Sequence, residues 1–585
     1  MPVPPRLASV CCSLLLVLST AAAHAAPHVV STQPQPQRIN VPTNPTIQVV
    51  FDEPIDTLSV TPISFRIFGR WSGPASGARS VSGNTVTFTP NQPFFAGEWV
   101  TVSISRSVKN TSGEPLAQGY AWNFWIKSRP ASLNLQYAGR ITTRQSTEST
   151  APYGGYAGDL DDDGASDLTV PCEHSGDARI FMNDGTGTFS TFRIEPLVPN
   201  SESSPNDAAD FNNDGEIDLV FGDSNGTQIT VLLGDGTGHF FDKTFHTAGN
   251  SIRGVAVVDL NGDGWDDIVT ANLFTNNLSI FMNNGDGTFP ATGTPLEAGL
   301  NGEVCVAVAD ANHDGLQDVF CTNYNSPYQV IVLLSDGNGG LVPQTPVLAG
   351  GHPWLHLALG DYNNDGNVDA AIEHVFANSM GIFLGNGTGA LGAVTAYPTG
   401  ENPYAITTAD VDGDGDLDLV TSNFGTADWT LYENAGGVFV NPRTFPSDRS
   451  GSCAVLHDRD GDGDVDLTGF DEFHDWIYFY ENVPTTTAVT PLVKAATLEQ
   501  NQPNPFNPAT SIRFELAQAA DVTLAVYNTS GAFVARIAHG RFAAGPHDVR
   551  WNGTDAHGAQ VASGVYFYRL FTKNFELTKK MVLLK

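Results

Sequence analysis

Asp259-Leu260-Asn261-Gly262-Asp263-Gly264-Trp265-Asp266-Asp267 is one copy of a nine-residue loop that occurs seven times, beginning at Asp159, Asp210, Asp259, Asp310, Asp361, Asp410 and Asp458. The intervals between copies are 51, 49, 51, 51, 49 and 48 residues. Around this third copy, residues 254–258 read as a strand, 267–271 as a second, 278–283 as a third, and Phe289 as the start of a fourth. Four short strands per unit at a period near 50 predict a ring of blades or a solenoid. A solenoid needs polar caps at both ends, whereas a ring closes on itself and protects its sheet edges. The last unit offers three strands, 453–456, 466–469 and 476–480, and a spare strand at 132–137 precedes the first unit. The expectation is a seven-bladed β-propeller over 132–483, in which the spare strand completes the last blade.

The loop is a list of oxygen donors at alternate positions. Position 1 is Asp159, Asp210, Asp259, Asp310, Asp361, Asp410 and Asp458. Position 3 is Asp161, Asn212, Asn261, Asn312, Asn363, Asp412 and Asp460. Position 5 is Asp163, Asp214, Asp263, Asp314, Asp365, Asp414 and Asp462. Position 7 offers a backbone carbonyl, from Ala165, Glu216, Trp265, Leu316, Asn367, Asp416 and Asp464. Position 9 is Asp167, Asp218, Asp267, Asp318, Asp369, Asp418 and Asp466. Calcium takes six to eight oxygens at about 2.3–2.6 Å, and the Gly at position 6 permits the sharp turn that aims them inward. The expectation is up to seven structural Ca2+ ions, one per blade, bound most tightly where position 3 is Asp. An EF-hand needs Glu at position 12 and flanking helices, but that position is Thr270, Thr421 or Gly469 and the flanks are strand-like. Magnesium demands near-octahedral geometry, and zinc prefers His and Cys.

Composition sets the surroundings. The chain has 585 residues, 59 Gly and 36 Pro, with a net charge of −35. Gly and Pro at this level fit short strands and turns, and the charge excludes nucleic acid, whose binding needs clustered Lys and Arg. Residues 1–25 read as a secretory signal peptide: Arg6, an apolar stretch over 10–18, and the small-residue site Ala23-His24-Ala25. No other apolar stretch is long enough for a membrane span. Four cysteines then remain, Cys172, Cys305, Cys321 and Cys453. Export permits disulfides, with Cys305–Cys321 and Cys172–Cys453 as candidates, and four buried thiols as the equal alternative.

Residues 27–128 carry strand-like runs at 46–51, 63–68, 85–89, 99–105 and 121–126. Val41-Pro42-Thr43-Asn44-Pro45, Phe51-Asp52-Glu53-Pro54, Thr85-Val86-Thr87-Phe88-Thr89-Pro90 and Trp122-Asn123-Phe124 resemble the bacterial Ig-like family. That resemblance implies a spacer and display module. The Asp loops, with turns such as Asn283-Asn284-Gly285-Asp286-Gly287-Thr288-Phe289, resemble the FG-GAP or VCBS repeat of integrin α-chains and bacterial surface proteins. The seventh unit departs from the pattern with His457 and Arg459. Residues 484–497 read as a linker. Residues 498–585 open on Gln500-Asn501-Gln502-Pro503-Asn504-Pro505-Phe506-Asn507-Pro508 and close with Gly564-Val565-Tyr566-Phe567-Tyr568 and the basic Lys579, Lys580 and Lys585. They resemble the type IX secretion sorting domain, related to the Ig-like module of hook-capping proteins. The fold class expected is therefore all-β: a propeller flanked by two Ig-like sandwiches.

Function follows as an expectation. In a propeller the Asp loops occupy one face, so recognition falls to the other, whose loops carry Arg253, Tyr328, His352, Trp354, Tyr404, Trp429 and His474. These suit an extracellular glycan or protein ligand. Glu373-His374 and His352-Pro353-Trp354-Leu355-His356 lack partners at a known catalytic spacing, and no Gly-x-Ser-x-Gly, phosphate loop or His-Glu-x-x-His occurs. The reading is a non-enzymatic, secreted or outer-surface calcium-binding protein for adhesion or ligand binding, passed to a secretion machinery by its C-terminal domain. The alternative is a lyase-like enzyme acting on polysaccharide.

Overall fold

The computed structural model describes residues 25–483 except 190 and 200, and 496–585 except 517–518, 530–532, 557 and 572–575. Residues 1–24 of the expected signal peptide and 484–495 of the expected linker therefore lie outside the described residues. The described chain is built of strands, with one short 3-10 turn at Thr57–Ser59, and none of its helices is long and apolar enough to cross a membrane. The chain forms two units, the first through Thr487 and the second from Ala488.

Within the first unit the repeats form seven antiparallel sheets, numbered here by the Asp loop each contains; six have four strands and the fourth has a fifth short strand, Val347–Leu348, paired with its third. Sheet three shows why these residues make strands. Ile252–Val258, Asp267–Asn272, Asn277–Phe281 and Thr294–Leu296 are rich in β-branched residues. The second strand is buried on both faces because neighbouring sheets stack against it. Phe289 does not begin the fourth strand. Its ring is buried and packs edge-on against Phe211 of sheet two at 5.3 Å, and the strand starts after Gly293.

Innermost strands of successive sheets touch in order, and the innermost strand of sheet seven, Cys453–His457, touches that of sheet one, Tyr156–Gly158. Sheet seven is composite. Its outer strand is Gln136–Thr142, paired antiparallel with Trp476–Glu481, so Tyr137 faces Tyr480 and Ile141 faces Ile477. That strand sits four residues beyond the expected start. The four cysteines are free and buried, with no disulfide among them.

The N-terminal domain packs two sheets, with strand orders from Val29–Gln33 through Ile47–Phe51 and Thr85–Pro90 to Gly77–Ser82, and from Arg38–Val41 through Tyr120–Ile126, Trp99–Ile104 and Phe65–Gly69 to Gly73–Pro74. Alternate residues Ile47, Val49 and Phe51, with Val86, Phe88, Val100, Val102, Trp122 and Phe124, fill the space between them. The second unit has its own core of Ile512, Phe514, Leu524, Val526, Trp551, Tyr568 and Leu570. There the opening and closing motifs meet: the Tyr568 hydroxyl accepts from Asn501 N at 2.8 Å and donates to Glu499 O at 2.8 Å.

Candidate calcium loops and the face opposite them

Each Asp loop joins the first and second strands of its sheet, and the seven share one hydrogen-bond pattern. The position 6 amide donates to the position 1 carboxylate in every copy, as Gly264 does to Asp259 at 2.8 Å. The position 7 amide donates to the position 5 carboxylate in every copy, as Trp265 does to Asp263 at 2.9 Å. Two residues per loop are left-handed. Position 6 is always Gly, at φ +100 for Gly415. Position 4 is Asp162, Asn213, Gly262, His313, Asn364, Gly413 or Gly461, all at positive φ, where a short polar side chain or none is tolerated. The position 4 requirement was missed in the sequence, although Gly and Asn dominate there.

Position 9, an expected ligand, also ties the loop to its sheet. One oxygen of Asp267 accepts the amide of Leu260 at 3.0 Å and closes the loop. The other accepts the amide of Asn283 at 2.8 Å, where the third strand ends. The same pair of bonds recurs in the other six sheets.

Burial, then neighbouring carboxylates, raises these acids. Among position 9 residues Asp167 and Asp218 are pushed up to about 8 and Asp267 to about 9, with burial the largest cause. At position 1, Asp210, Asp259 and Asp410 reach about 7, again by burial first. Buried acids crowded this way are stable only as protonated groups or around a cation.

The donor set fits a hard divalent ion. Oxygens of Asp159, Asp161 and Asp167, of Asp410, Asp412 and Asp418, and of Asp458, Asp460 and Asp462 gather within 4.8 Å of one another. These three loops are those with Asp at position 3. Asp410 Oδ1 in loop six is buried without a hydrogen-bond partner, as a ligand oxygen would be. Sheets two to five have Asn at position 3 and the same backbone turn.

The N-terminal domain sits on this face. Arg106 N donates to Gly262 O at 2.7 Å, Ala121 N to Gly315 O at 2.6 Å, Asp159 N to Trp71 O at 2.8 Å, and Ser128 Oγ to Asp410 O at 2.7 Å. The Arg66 guanidinium makes two bonds to Asp266, at 2.9 and 2.5 Å. A Cβ on Gly262 would lie 2.8 Å from the Cα of Gly119, so glycine is needed on both sides of that contact.

The opposite face is open and aromatic. Directly after the second strand, sheets three to seven each supply a ring: Phe274, Tyr324, Phe376, Phe424 and Phe473. The reading of the sequence missed this, although aligning the repeats on their second strands displays it. Between them, rings run in contact from Tyr324 to Trp354 at 5.3 Å, Trp354 to Tyr404 at 5.4 Å, Tyr404 to Phe424 at 4.4 Å and Phe424 to Phe473 at 5.3 Å. Phe274, Phe376 and Phe473 are 68%, 71% and 48% exposed.

Of the residues expected on this face, Tyr328, Trp354, Tyr404, Arg253 and His474 are half-buried there. His352 is buried among Tyr324, Tyr328 and Phe376 at 4.6–4.9 Å. Trp429 is not on the face: it is fully buried between sheets six and seven and donates Nε1 to Cys453 O at 2.9 Å. Glu373 is a scaffold for Trp354. One of its oxygens accepts the amides of Trp354, Leu355 and His356 at 2.9, 2.8 and 3.2 Å. Its neighbour His374 bonds Ser379 instead, at 3.0 Å.

A cavity of about 890 Å3 runs inside the ring, lined by Arg253, Cys305, His356 and Cys453 from the sheets and by Trp71, Trp99 and Trp125 from the N-terminal domain.

The profile of the FG-GAP-like repeat matches residues 159–221, 210–270, 259–321, 310–372, 375–421 and 410–468, together more than half the chain. The chain belongs to the FG-GAP-like repeat family. Its N-terminal domain matches the bacterial Ig-like domain over residues 23–125, and its C-terminal unit the FlgD Ig-like domain over 501–574. No curated protein matches it. Among solved structures, the FG-GAP-like chain is similar to BBS1N in a complex with ARL6DN soaked with lead, at 14% identity and TM-score 0.43, over 61% of this chain and 98% of that one. It is also similar to a functionally unknown protein from Desulfotomaculum acetoxidans (12%, TM-score 0.37, 64% and 96%). A third likeness is to the rhamnogalacturonan lyase YesW (12%, TM-score 0.37, 78% and 93%).

Proposed function

We propose that this protein is an exported, calcium-stiffened seven-bladed propeller that binds an extracellular glycan or protein on the face opposite its Asp loops. One observation carries the reading. The loop face is covered by the Ig-like domain, while the other face carries a connected run of half-buried rings from Tyr324 to the exposed Phe473, with Phe274 and Phe376 also exposed on it. Monomeric proteins rarely leave an extended aromatic surface with several exposed rings on one face without a partner. Planar rings of this kind stack on sugar faces or anchor protein interfaces. The C-terminal unit serves passage to the cell exterior in this reading, and calcium there keeps the loops filled.

The test is a glycan and surface-protein binding screen with the full chain, in calcium and in chelator. Binding that disappears in chelator, and falls at least about tenfold in Trp354→Ala with unfolding temperature unchanged, is the expected result. Binding untouched by Trp354→Ala would reject this face.

The channel supports a second reading as a polysaccharide lyase, because Arg253 lies close enough to Tyr153 and Glu173 to shift their titration. Against it, burial raises the Tyr153 phenol well above its ordinary value, the opposite of what a proton-abstracting tyrosine needs. Release of unsaturated sugars from any acidic polysaccharide would establish the lyase.

A further inference from the structure

Loops six and seven are near copies. Both place Asp at positions 1, 3, 5, 7 and 9, as Asp410, Asp412, Asp414, Asp416 and Asp418, and as Asp458, Asp460, Asp462, Asp464 and Asp466. They differ in what the segment leaving the Ig-like domain does to them. At loop six, among the described residues, that segment bonds only to backbone, through Ser128 Oγ to Asp410 O and Ala131 N to Asp412 O. At loop seven it adds a side chain. Arg129 Nη2 lies 2.5 Å from Asp462 Oδ2 and 2.6 Å from Asp464 Oδ2, while Arg129 N donates to Gly463 O at 2.6 Å. The guanidinium is 14% exposed and Asp464 is 1% exposed. Among the described residues no ion pair reaches Asp414, the position 5 counterpart in loop six.

We propose that Arg129 is a tethered cation of loop seven: it supplies within the chain part of the positive charge that calcium supplies to loop six, so loop seven binds calcium more weakly than its twin. The position 5 carboxylate must serve two cations at once. A guanidinium at hydrogen-bond distance neutralises the charge that would draw the metal, and in a half-buried site that attraction is little screened. Loop seven also belongs to the composite sheet that joins the two ends of the repeat array. A covalently carried charge there keeps the loop folded when calcium is withdrawn, which a diffusible ion cannot do. This refines the expectation that calcium is bound most tightly where position 3 is Asp, by setting loop seven below loop six.

The experiment compares the chelator-stripped full chain with Arg129→Gln and Arg129→Lys. Calorimetric titration with calcium chloride is expected to move about one equivalent from the weak to the tight class in Arg129→Gln, with its affinity raised at least about tenfold. Arg129→Lys, which keeps the charge but not the fork, is expected to fall between. Unfolding temperature gives the second readout. Arg129→Gln should lose stability in chelator and regain the wild-type value in saturating calcium. An unchanged isotherm overturns the proposal. So does a loss of stability equal in chelator and calcium, or failure of Arg129→Gln to fold in calcium, since either makes Arg129 an ordinary structural ion pair.

Discussion

The position 9 aspartate shows how much one side chain can hold. In sheet three, Asp267 satisfies the amides of Leu260 and Asn283 with its two oxygens while fully buried. Asp267→Ala strands both amides away from water, and each buried unpaired group costs about 1–3 kcal/mol. We expect a loss of about 2–5 kcal/mol in denaturant unfolding, and we expect it to persist in chelator, because these bonds do not involve a metal. A loss seen only in calcium would make Asp267 a ligand alone. The recurring loop positions were legible because a repeated spacing displays them. This second duty was not, because its partner is a backbone amide sixteen or seventeen residues downstream, which a residue of any type can supply: Asn283 here, Gly234 in sheet two and Ser335 in sheet four.

Between elements, the coupling of neighbouring sheets falls to single side chains at the ends of the third strands. Asn434 Nδ2 donates to Leu417 O of its own loop at 3.0 Å and to Tyr362 O of the preceding loop at 2.8 Å. Asn283 and Asn482 repeat the bridge, and Asn183 makes it across the junction of sheets seven and one through Arg459 O at 2.7 Å. Asn434→Ala should cost about 1–3 kcal/mol, with faster amide exchange in loops five and six than in the distant loop two. Equal exchange across all loops would contradict a local bridge. Strand positions were legible from alternation and turn residues to within a few positions. The fourth strand of sheet three and the outer strand of sheet seven were misplaced because both begin in sequence that is polar or Gly-rich, where the pairing partner decides the boundary.

At the level of the whole molecule, the acids of the loops make stability depend on pH in opposite senses with and without calcium. Folding raises the position 1 and position 9 carboxylates from 3.8 to about 7 for Asp210 and about 9 for Asp267, through burial first. Without metal, the folded chain holds protons that the unfolded chain has released. This stability is therefore complete below about pH 4 and is lost as pH rises through 7 to 9. In the proposed reading calcium binds the ionised set, so its stabilisation is expected to grow over the same interval. Unfolding temperature in chelator should fall from pH 5 to pH 8, and the gap between calcium and chelator should widen. A gap independent of pH would show that these carboxylates do not hold the ion. The ring of repeats was legible from seven evenly spaced loops. The seating of the Ig-like domain on them was not, because its contacts join segments hundreds of residues apart and follow no period.

Pairing of Gln136–Thr142 with Trp476–Glu481 also imposes an order in time. Synthesis delivers the first strand more than three hundred residues before its partner. Until residue 481 is made, the array has an unpaired strand edge at its seam, the kind of edge that invites pairing with another chain. The ring is sealed last, and a chain interrupted before that point carries six finished sheets and a seventh without its outermost pairing.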